Sequence, residues 1–292
     1  MRFFAVIAAI AIVACSTSSS SSPADAGYTP SPLVAARPYG FKEPAGYDPS
    51  KPTPLVVVLH GYGASGLVQE AYLGFAVLAE TKTFLLAYPD GTLDSKGKRS
   101  WNATDACCDF DHRGVDDVAY VTAVIDDVMK QYNVDPKRIY LIGHSNGAFM
   151  SHRMACELGS RVAAIVTLAG MQWNDPAKCP GGSPVAVLQV HGDADDTVLY
   201  KGGATEIGTY PSAHQTVATW AAKNGCTGAI AATGETLDLE ASIPGAETTV
   251  EKYAGCPADV VLWTIKGGGH LPGFTDAWRD LMWSFFETHP KK

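Results

Sequence analysis

The sequence predicts a doubly wound, mostly parallel α/β sheet with no separate lid domain. Three observations predict it: short continuous apolar runs, helix-like stretches between them, and a Gly-x-Ser-x-Gly turn joining one run directly to a helix. Continuous apolar runs mark strands buried on both faces, and strands alternating with helices assemble in parallel. In chain order the runs are Pro54–Leu59, Phe84–Tyr88, Arg138–Ile142, Ala163–Leu168, Val185–Val190 and Val260–Ile265. Between the second and third, Val118, Val121, Ile125, Val128 and Tyr132 form one apolar helical stripe behind Asp116 and Asp117, whose charges suit a helix start. Ser212 and Gln215 form a capping box ahead of Val217 and Trp220, and Gly225 closes that helix. Thr275 opens a terminal helix carrying Trp278, Leu281, Met282 and Phe285. No internal repeat is legible. Sites in such a fold lie at the carboxyl ends of the strands.

The chain has 292 residues, 46% of them hydrophobic, enough for one large core. A formal charge of -8, with no run of lysine and arginine, argues against nucleic acid as a partner. The amino terminus differs from the rest. Arg2 precedes an apolar stretch from Phe3 to Ala14 that is too short to span a bilayer, so residues 1–14 read as a signal peptide. Ile12-Val13-Ala14-Cys15 resembles the lipobox of bacterial lipoproteins, with Cys15 as the acylated residue. The serine run to Ser22 and Pro23 suits a flexible tether over residues 15–30, ahead of a catalytic unit over 31–292. The alternative is ordinary cleavage after Ala24-Asp25-Ala26. Either route exports the protein to the cell envelope or beyond, and the lipid anchor is its only expected membrane contact.

Seven cysteines less Cys15 leave six: Cys107, Cys108, Cys156, Cys179, Cys226 and Cys256. An even number in an exported chain suggests disulfides, and the lack of any Cys-x-x-Cys pair disfavours zinc. Cys226 and Cys256 bracket a polar, glycine-rich segment and are expected to pair, against the alternative of two buried thiols. Adjacent cysteines lie closer than relaxed disulfide geometry prefers, so Cys107 and Cys108 are expected to find partners elsewhere, with a vicinal bond as the alternative.

The chemistry centres on Gly143-His144-Ser145-Asn146-Gly147, where a β-rich run passes straight into a helix. This is a nucleophile elbow, which exposes a serine at the sheet edge and aims the unpaired N–H groups of a helix start at it. A structural turn serine is the plainer reading of Ser145. A serine hydroxyl needs a base, and the base needs an acid to orient it, in the chain order serine, acid, histidine. Among eight histidines, His270 alone follows the last strand on a glycine loop, Gly267-Gly268-Gly269, where the base should hang. The acid should follow Val185–Val190, where Asp193, Asp195 and Asp196 compete; a calcium loop is disfavoured because its glycine and distal glutamate are missing. Two backbone donors are needed for the oxyanion: Asn146 after the nucleophile, and Tyr62 in the loop His60-Gly61-Tyr62-Gly63. No cofactor is required.

Seven blocks occur in order: Leu59-His60-Gly61-Tyr62-Gly63, Tyr88-Pro89-Asp90-Gly91, Trp101-Asn102-Ala103, Val115-Asp116-Asp117-Val118, Gly143–Gly147, His191-Gly192-x-x-Asp195 and Gly267-Gly268-Gly269-His270. Together they resemble the polyhydroxybutyrate depolymerase and feruloyl esterase family, related to carbohydrate esterase family one, from about Tyr39 to the carboxyl end. The resemblance implies an α/β-hydrolase fold and selects Asp195, giving the triad Ser145, Asp195 and His270. It departs after the base: the family often has Thr-Trp-Pro-Gly, whereas Leu271-Pro272-Gly273 follows here, which bears on substrate preference rather than on the chemistry.

The stretch from Gly91 to Gly114 should lie over the site. Trp101 within it, and Trp173 beyond the fourth run, are candidates for an aromatic platform under a sugar ring or phenolic acyl group, with anchoring in the core as the other reading. The expected substrate is an ester, either an acyl group linked to polysaccharide or a short polyester. Polyester depolymerases often carry an added substrate-binding domain, and none is legible, which favours feruloyl or acetyl-xylan esters. A peptidase is disfavoured without a propeller domain. A noncatalytic binding lipoprotein on the same scaffold is the reading from another class, and an intact triad argues against it.

Overall fold

A computed structural model describes residues 28–179 and 182–292 of the chain. The signal peptide, Cys15 and most of the serine-rich tether lie outside the described residues. Nine strands form the main sheet: β1 Gly40–Lys42, β2 Thr53–Leu59, β3 Leu85–Tyr88, β4 Val134–His144, β5 Ala164–Leu168, β6 Ala186–Gly192, β7 Ile230–Leu237, β8 Thr248–Tyr253 and β9 Val260–Ile265. Their order across the sheet is β1-β3-β2-β4-β5-β6-β9-β8-β7. The six strands from β3 to β9 pair in parallel. Strands β2, β5, β6 and β9 are buried at every position, which is why each reads as a largely apolar run. The fold is that of the α/β-hydrolases.

Both edges turn antiparallel, through β1 on one side and the β9-β8-β7 meander on the other. No apolar run marks β7 or β8 in the sequence. The reason is physical: β7 is an edge strand exposed along most of its length, so its residues alternate with nothing to bury.

Helices cover both faces. One face carries α1 Pro32–Ala36, α4 Asp117–Gln131, α5 Asn146–Glu157 and α6 Ala213–Asn224; the other carries α2 Gly66–Leu73, α3 Phe75–Lys82 and α7 Ala277–Glu287. Asp116 caps α4 by accepting the Ala119 N–H, and the Ser212–Gln215 capping box on α6 is closed in both directions. The terminal helix starts later than its sequence suggests. Thr275 instead bonds the loop at Leu239 and Asp238, and Asp276 takes the position before the first helical residue.

The structure pairs Cys226 with Cys256 and Cys156 with Cys179. Cys107 and Cys108 are paired with each other, contrary to the expectation of other partners. Cys156–Cys179 and Cys226–Cys256 stand at Cα separations of 5.0 and 4.0 Å, which leaves Cys107 and Cys108 no other free thiol partner among the described residues.

The parallel registers line up the strand ends that matter. Leu59 pairs with Gly143, His144 with Leu168, Leu168 with Val190, and Gly192 with Ile265. The loops after β2, β4, β6 and β9 therefore leave one edge side by side.

Candidate active site

The turn from β4 into α5 is built around Ser145, whose backbone stands at φ 53°, ψ -122°. A non-glycine residue at positive φ costs about 1–3 kcal/mol and persists only where its surroundings impose it. Here the Ser145 N–H is held by the Leu168 carbonyl of β5 at 2.8 Å. The flanking glycines are steric requirements. A Cβ on Gly143 would lie 2.1 Å from the Gly147 oxygen, and one on Gly147 would lie 2.0 Å from the Leu59 oxygen. Real Cβ contacts are never that short, so strand, elbow and helix can meet only without side chains at these two positions.

Asn146 is the first residue of α5, so its N–H has no intrahelical acceptor. Its side chain is fully buried and grips the Trp101 backbone, accepting from the N–H at 2.7 Å and donating to the carbonyl at 3.0 Å. The loop after β2 passes beside Ser145, since a Cβ on Gly61 would sit 3.4 Å from that of Ser145. The amides flanking Tyr62 are committed: Gly61 N–H to Gln69 Oε1 at 3.1 Å, and Gly63 N–H to the Arg99 carbonyl at 2.8 Å. The Tyr62 phenol donates to Asp94, away from any acyl-transfer role, and burial together with that bond pushes it up to about 12.

His270 Nδ1 lies 2.8 Å from Asp195 Oδ2. The other carboxylate oxygen, Oδ1, accepts from the Thr197 and Val198 amides at 2.8 and 2.9 Å. Asp195 is buried, which opposes ionisation, but hydrogen bonds from His191 and His270 outweigh burial and hold the carboxyl below its ordinary range. The neighbouring acids do other work. Asp193 accepts the Gly267 N–H at 2.7 Å and so fixes the loop that carries His270, while Asp196 reaches only the Thr197 hydroxyl. Gly192 and Gly268 let those loops touch, since a Cβ on Gly192 would fall 2.1 Å from the Gly268 oxygen.

His270 is tied to the elbow through its own carbonyl, which accepts from His144 Nε2 at 2.9 Å with the rings 4.8 Å apart. A carbonyl only accepts, so the His144 proton sits on Nε2. Burial, and then repulsion from His270, hold His144 down to about 4, neutral and fixed in that tautomer. His60 is neutral for the same reason, at about 4: Nδ1 donates to the Gly61 carbonyl and Nε2 accepts the Gly91 N–H.

The platform reading of Trp101 needs correction. Trp101 is fully buried, its indole N–H donates to the His60 carbonyl at 3.0 Å, and its ring stacks on Tyr120. It has no free face for a ligand. Trp173 is 8% exposed and lines a polar cavity of about 530 Å³ together with Asp105, His112, Arg153 and Lys178. Trp101 acts instead as a strut between the loop after β2 and Asn146. The Asn146–Trp101 contact spans 45 residues of sequence, and no local pattern announces it.

Comparison with known proteins agrees with this architecture. The family model described as Esterase PHB depolymerase matches residues 39–240. The chain belongs to that esterase family. It is 31% identical over 242 residues to feruloyl esterase B of Piromyces equi, across 80% of this chain and 42% of that protein's length. It is 26% identical over 237 residues to poly(3-hydroxyalkanoate) depolymerase C of Paucimonas lemoignei, across 74% of this chain and 54% of the depolymerase. This member of the family thus spans about half the length of these two relatives. Among solved structures, the acetyl xylan esterase from Aspergillus awamori superposes with a TM-score of 0.61 at 18% identity, covering 84% of this chain and 93% of that one.

Proposed function

We propose that this protein is an exported serine carboxylic-ester hydrolase of the feruloyl or acetyl-xylan esterase type. The observation that carries the reading is the contact of His270 Nδ1 with Asp195 Oδ2 at 2.8 Å, with the His270 carbonyl bonded to the residue before Ser145. In the reaction Ser145 Oγ attacks the ester carbonyl carbon while His270 Nε2 takes its proton. Asp195 orients His270 and stabilises the imidazolium. The negative oxygen of the tetrahedral intermediate is received by the N–H groups of Asn146 and Tyr62. Collapse breaks the carbon–oxygen bond to the alcohol, which leaves with the proton from His270. Water, deprotonated by His270, then attacks the acyl-enzyme, and the carboxylic acid and free Ser145 are regenerated. No step needs a metal or cofactor.

Aromatic or acetyl esters on polysaccharide are the favoured substrates, and likeness to a feruloyl esterase over 80% of the chain supports them. Leu271, beside the base and 68% exposed, offers an apolar surface where the family often has tryptophan. Trp101 and Trp173 are not part of this proposal. Likeness to a polyester depolymerase supports the second reading, short hydroxyalkanoate esters. Initial rates on methyl ferulate, acetylated xylan, 4-nitrophenyl acetate and hydroxybutyrate oligomers separate them. The proposal expects the first two to be turned over with the higher kcat/KM; hydroxybutyrate oligomers leading the panel would overturn it.

Export and anchoring rest on the sequence of residues 1–27. Cys15 carries the lipid in this reading, and no helix among the described residues is long and apolar enough to cross a membrane. Cys15→Ser is expected to move the protein from the membrane to the soluble fraction. Unchanged partitioning would refute the anchor.

A further inference from the structure

Behind the triad, β6 carries two polar residues on one buried face, Gln189 and His191, in a strand otherwise made of Ala, Val, Leu and Gly. Buried polar groups of this kind destabilise a core unless every one is bonded. Here they join a chain of hydrogen bonds whose polarity is fixed from one end. The Trp220 indole can only donate, and it donates to His152 Nδ1 at 2.9 Å. Neutral His152 therefore carries its proton on Nε2 and donates to Gln189 Oε1 at 3.1 Å, where the Thr167 hydroxyl also donates at 2.7 Å. That assigns the Gln189 amide nitrogen to the other side, where it donates to the Gly170 carbonyl at 3.0 Å and to His191 Nδ1 at 3.3 Å. His191 must then hold its proton on Nε2, which faces the Val198 carbonyl at 2.8 Å and Asp195 Oδ2 at 3.2 Å.

We propose that His191 is a positioning residue for the acid Asp195, and that Gln189 and His152 lock the tautomer in which it does so. The inference rests on the serine-hydrolase reading and adds to it a function for the buried side chains behind the triad. With His191 in place the carboxylate faces four donors: two amides on Oδ1, and on Oδ2 the His270 ring and the longer branch of the His191 Nε2–H, which it shares with the nearer Val198 carbonyl. Four donors fill its lone-pair sites, so it can neither rotate nor accept a proton easily. The titratable groups around it are His191 and His270 in contact, His144 behind the His270 ring at 4.8 Å, and Tyr200 edge-on to the His191 ring at 5.7 Å. Removing the His191 donor leaves more negative charge on Oδ2 for the imidazolium of His270. The base should then hold its proton to higher pH.

The test compares pH profiles of kcat/KM for wild type, His191→Phe, His191→Gln and Gln189→Met, each with a thermal melt. His191→Phe keeps a ring and loses the donor; His191→Gln keeps an N–H near the Nε2 position. His191→Phe is expected to lower kcat about tenfold or more with KM changed less than about threefold, and to move the acid limb up by about half a pH unit. His191→Gln should bring the limb most of the way back. Gln189→Met, which frees the tautomer, should shift it in the same direction by less and serves if His191→Phe does not fold. A folded variant with the wild-type limb, or His191→Gln no better than His191→Phe, overturns the positioning role. A fluorophosphonate probe separates the two layers. Labelling of wild type at Ser145 with no effect of His191→Phe defeats this inference alone. Absence of labelling at Ser145 defeats the serine-hydrolase reading, and this inference with it.

Discussion

Three histidines are buried without charge around Ser145 and its supports. Burial holds His60, His144 and His152 each to about 4, against an ordinary value of 6.5. Unfolded, the same residues take up protons near 6.5. Below that pH the unfolded chain binds protons that the folded chain refuses, so acidification favours unfolding. The stability these groups confer is fully present above about 6.5 and is lost as pH falls to about 4, a change on the order of several kcal/mol. Urea midpoints at pH 7.5 and pH 4.5 check this, with the lower midpoint expected at pH 4.5; equal midpoints contradict it. The settings of Ser145 and His270, the proposed nucleophile and base, were legible in sequence as a strand–turn–helix and a glycine loop. The proposed acid was legible only as one of three until the resemblance selected Asp195. Trp101 was left open between platform and anchor because sequence does not tell whether a loop aromatic faces inward, and its partners His60 and Asn146 are 41 and 45 residues away.

At the scale of elements, the elbow depends on closeness between backbones rather than on any side-chain bond. Gly143→Ala forces a Cβ to 2.1 Å from the Gly147 oxygen, so α5 must move away from β4. We expect a loss of about 3 kcal/mol or more, in the range of severe overpacking. Gly97 has φ 70° but nothing within 4 Å, so Gly97→Ala should cost only about 1 kcal/mol, the penalty of the left-handed backbone alone. Thermal melts of the two variants check the contrast, and comparable melting temperatures contradict it. The central strands were legible because burial on both faces leaves apolar runs. The β8-β7 meander was not, because an exposed edge strand and a partly exposed neighbour carry no such run. Helices α2 and α3 were also unread: glycine at 66 and 74 interrupts the pattern, and Glu70 and Gln69 are buried on α2.

In the whole molecule, the Cys226–Cys256 pair ties the end of α6 to the start of β9 and closes the antiparallel meander into a loop. Closing about thirty residues constrains the unfolded chain by about 3–4 kcal/mol on chain-entropy arithmetic. That edge of the sheet lies beyond β9, away from Ser145, so mild reduction should lower the melting temperature before it lowers turnover. Loss of activity at an unchanged melting temperature would contradict this. The pairing was legible from the polar segment that the two cysteines bracket, whereas the Cys107–Cys108 pair became evident only once folding had matched the other four. We propose that one side chain at the strand–helix junction, Ser145, carries the reaction, and kcat of Ser145→Ala on the best ester of the panel is the decisive measurement. The account predicts a fall of about 10⁴–10⁶-fold with a wild-type melting curve, because triad members act as a unit. A folded Ser145→Ala protein within about tenfold of wild-type kcat would contradict it.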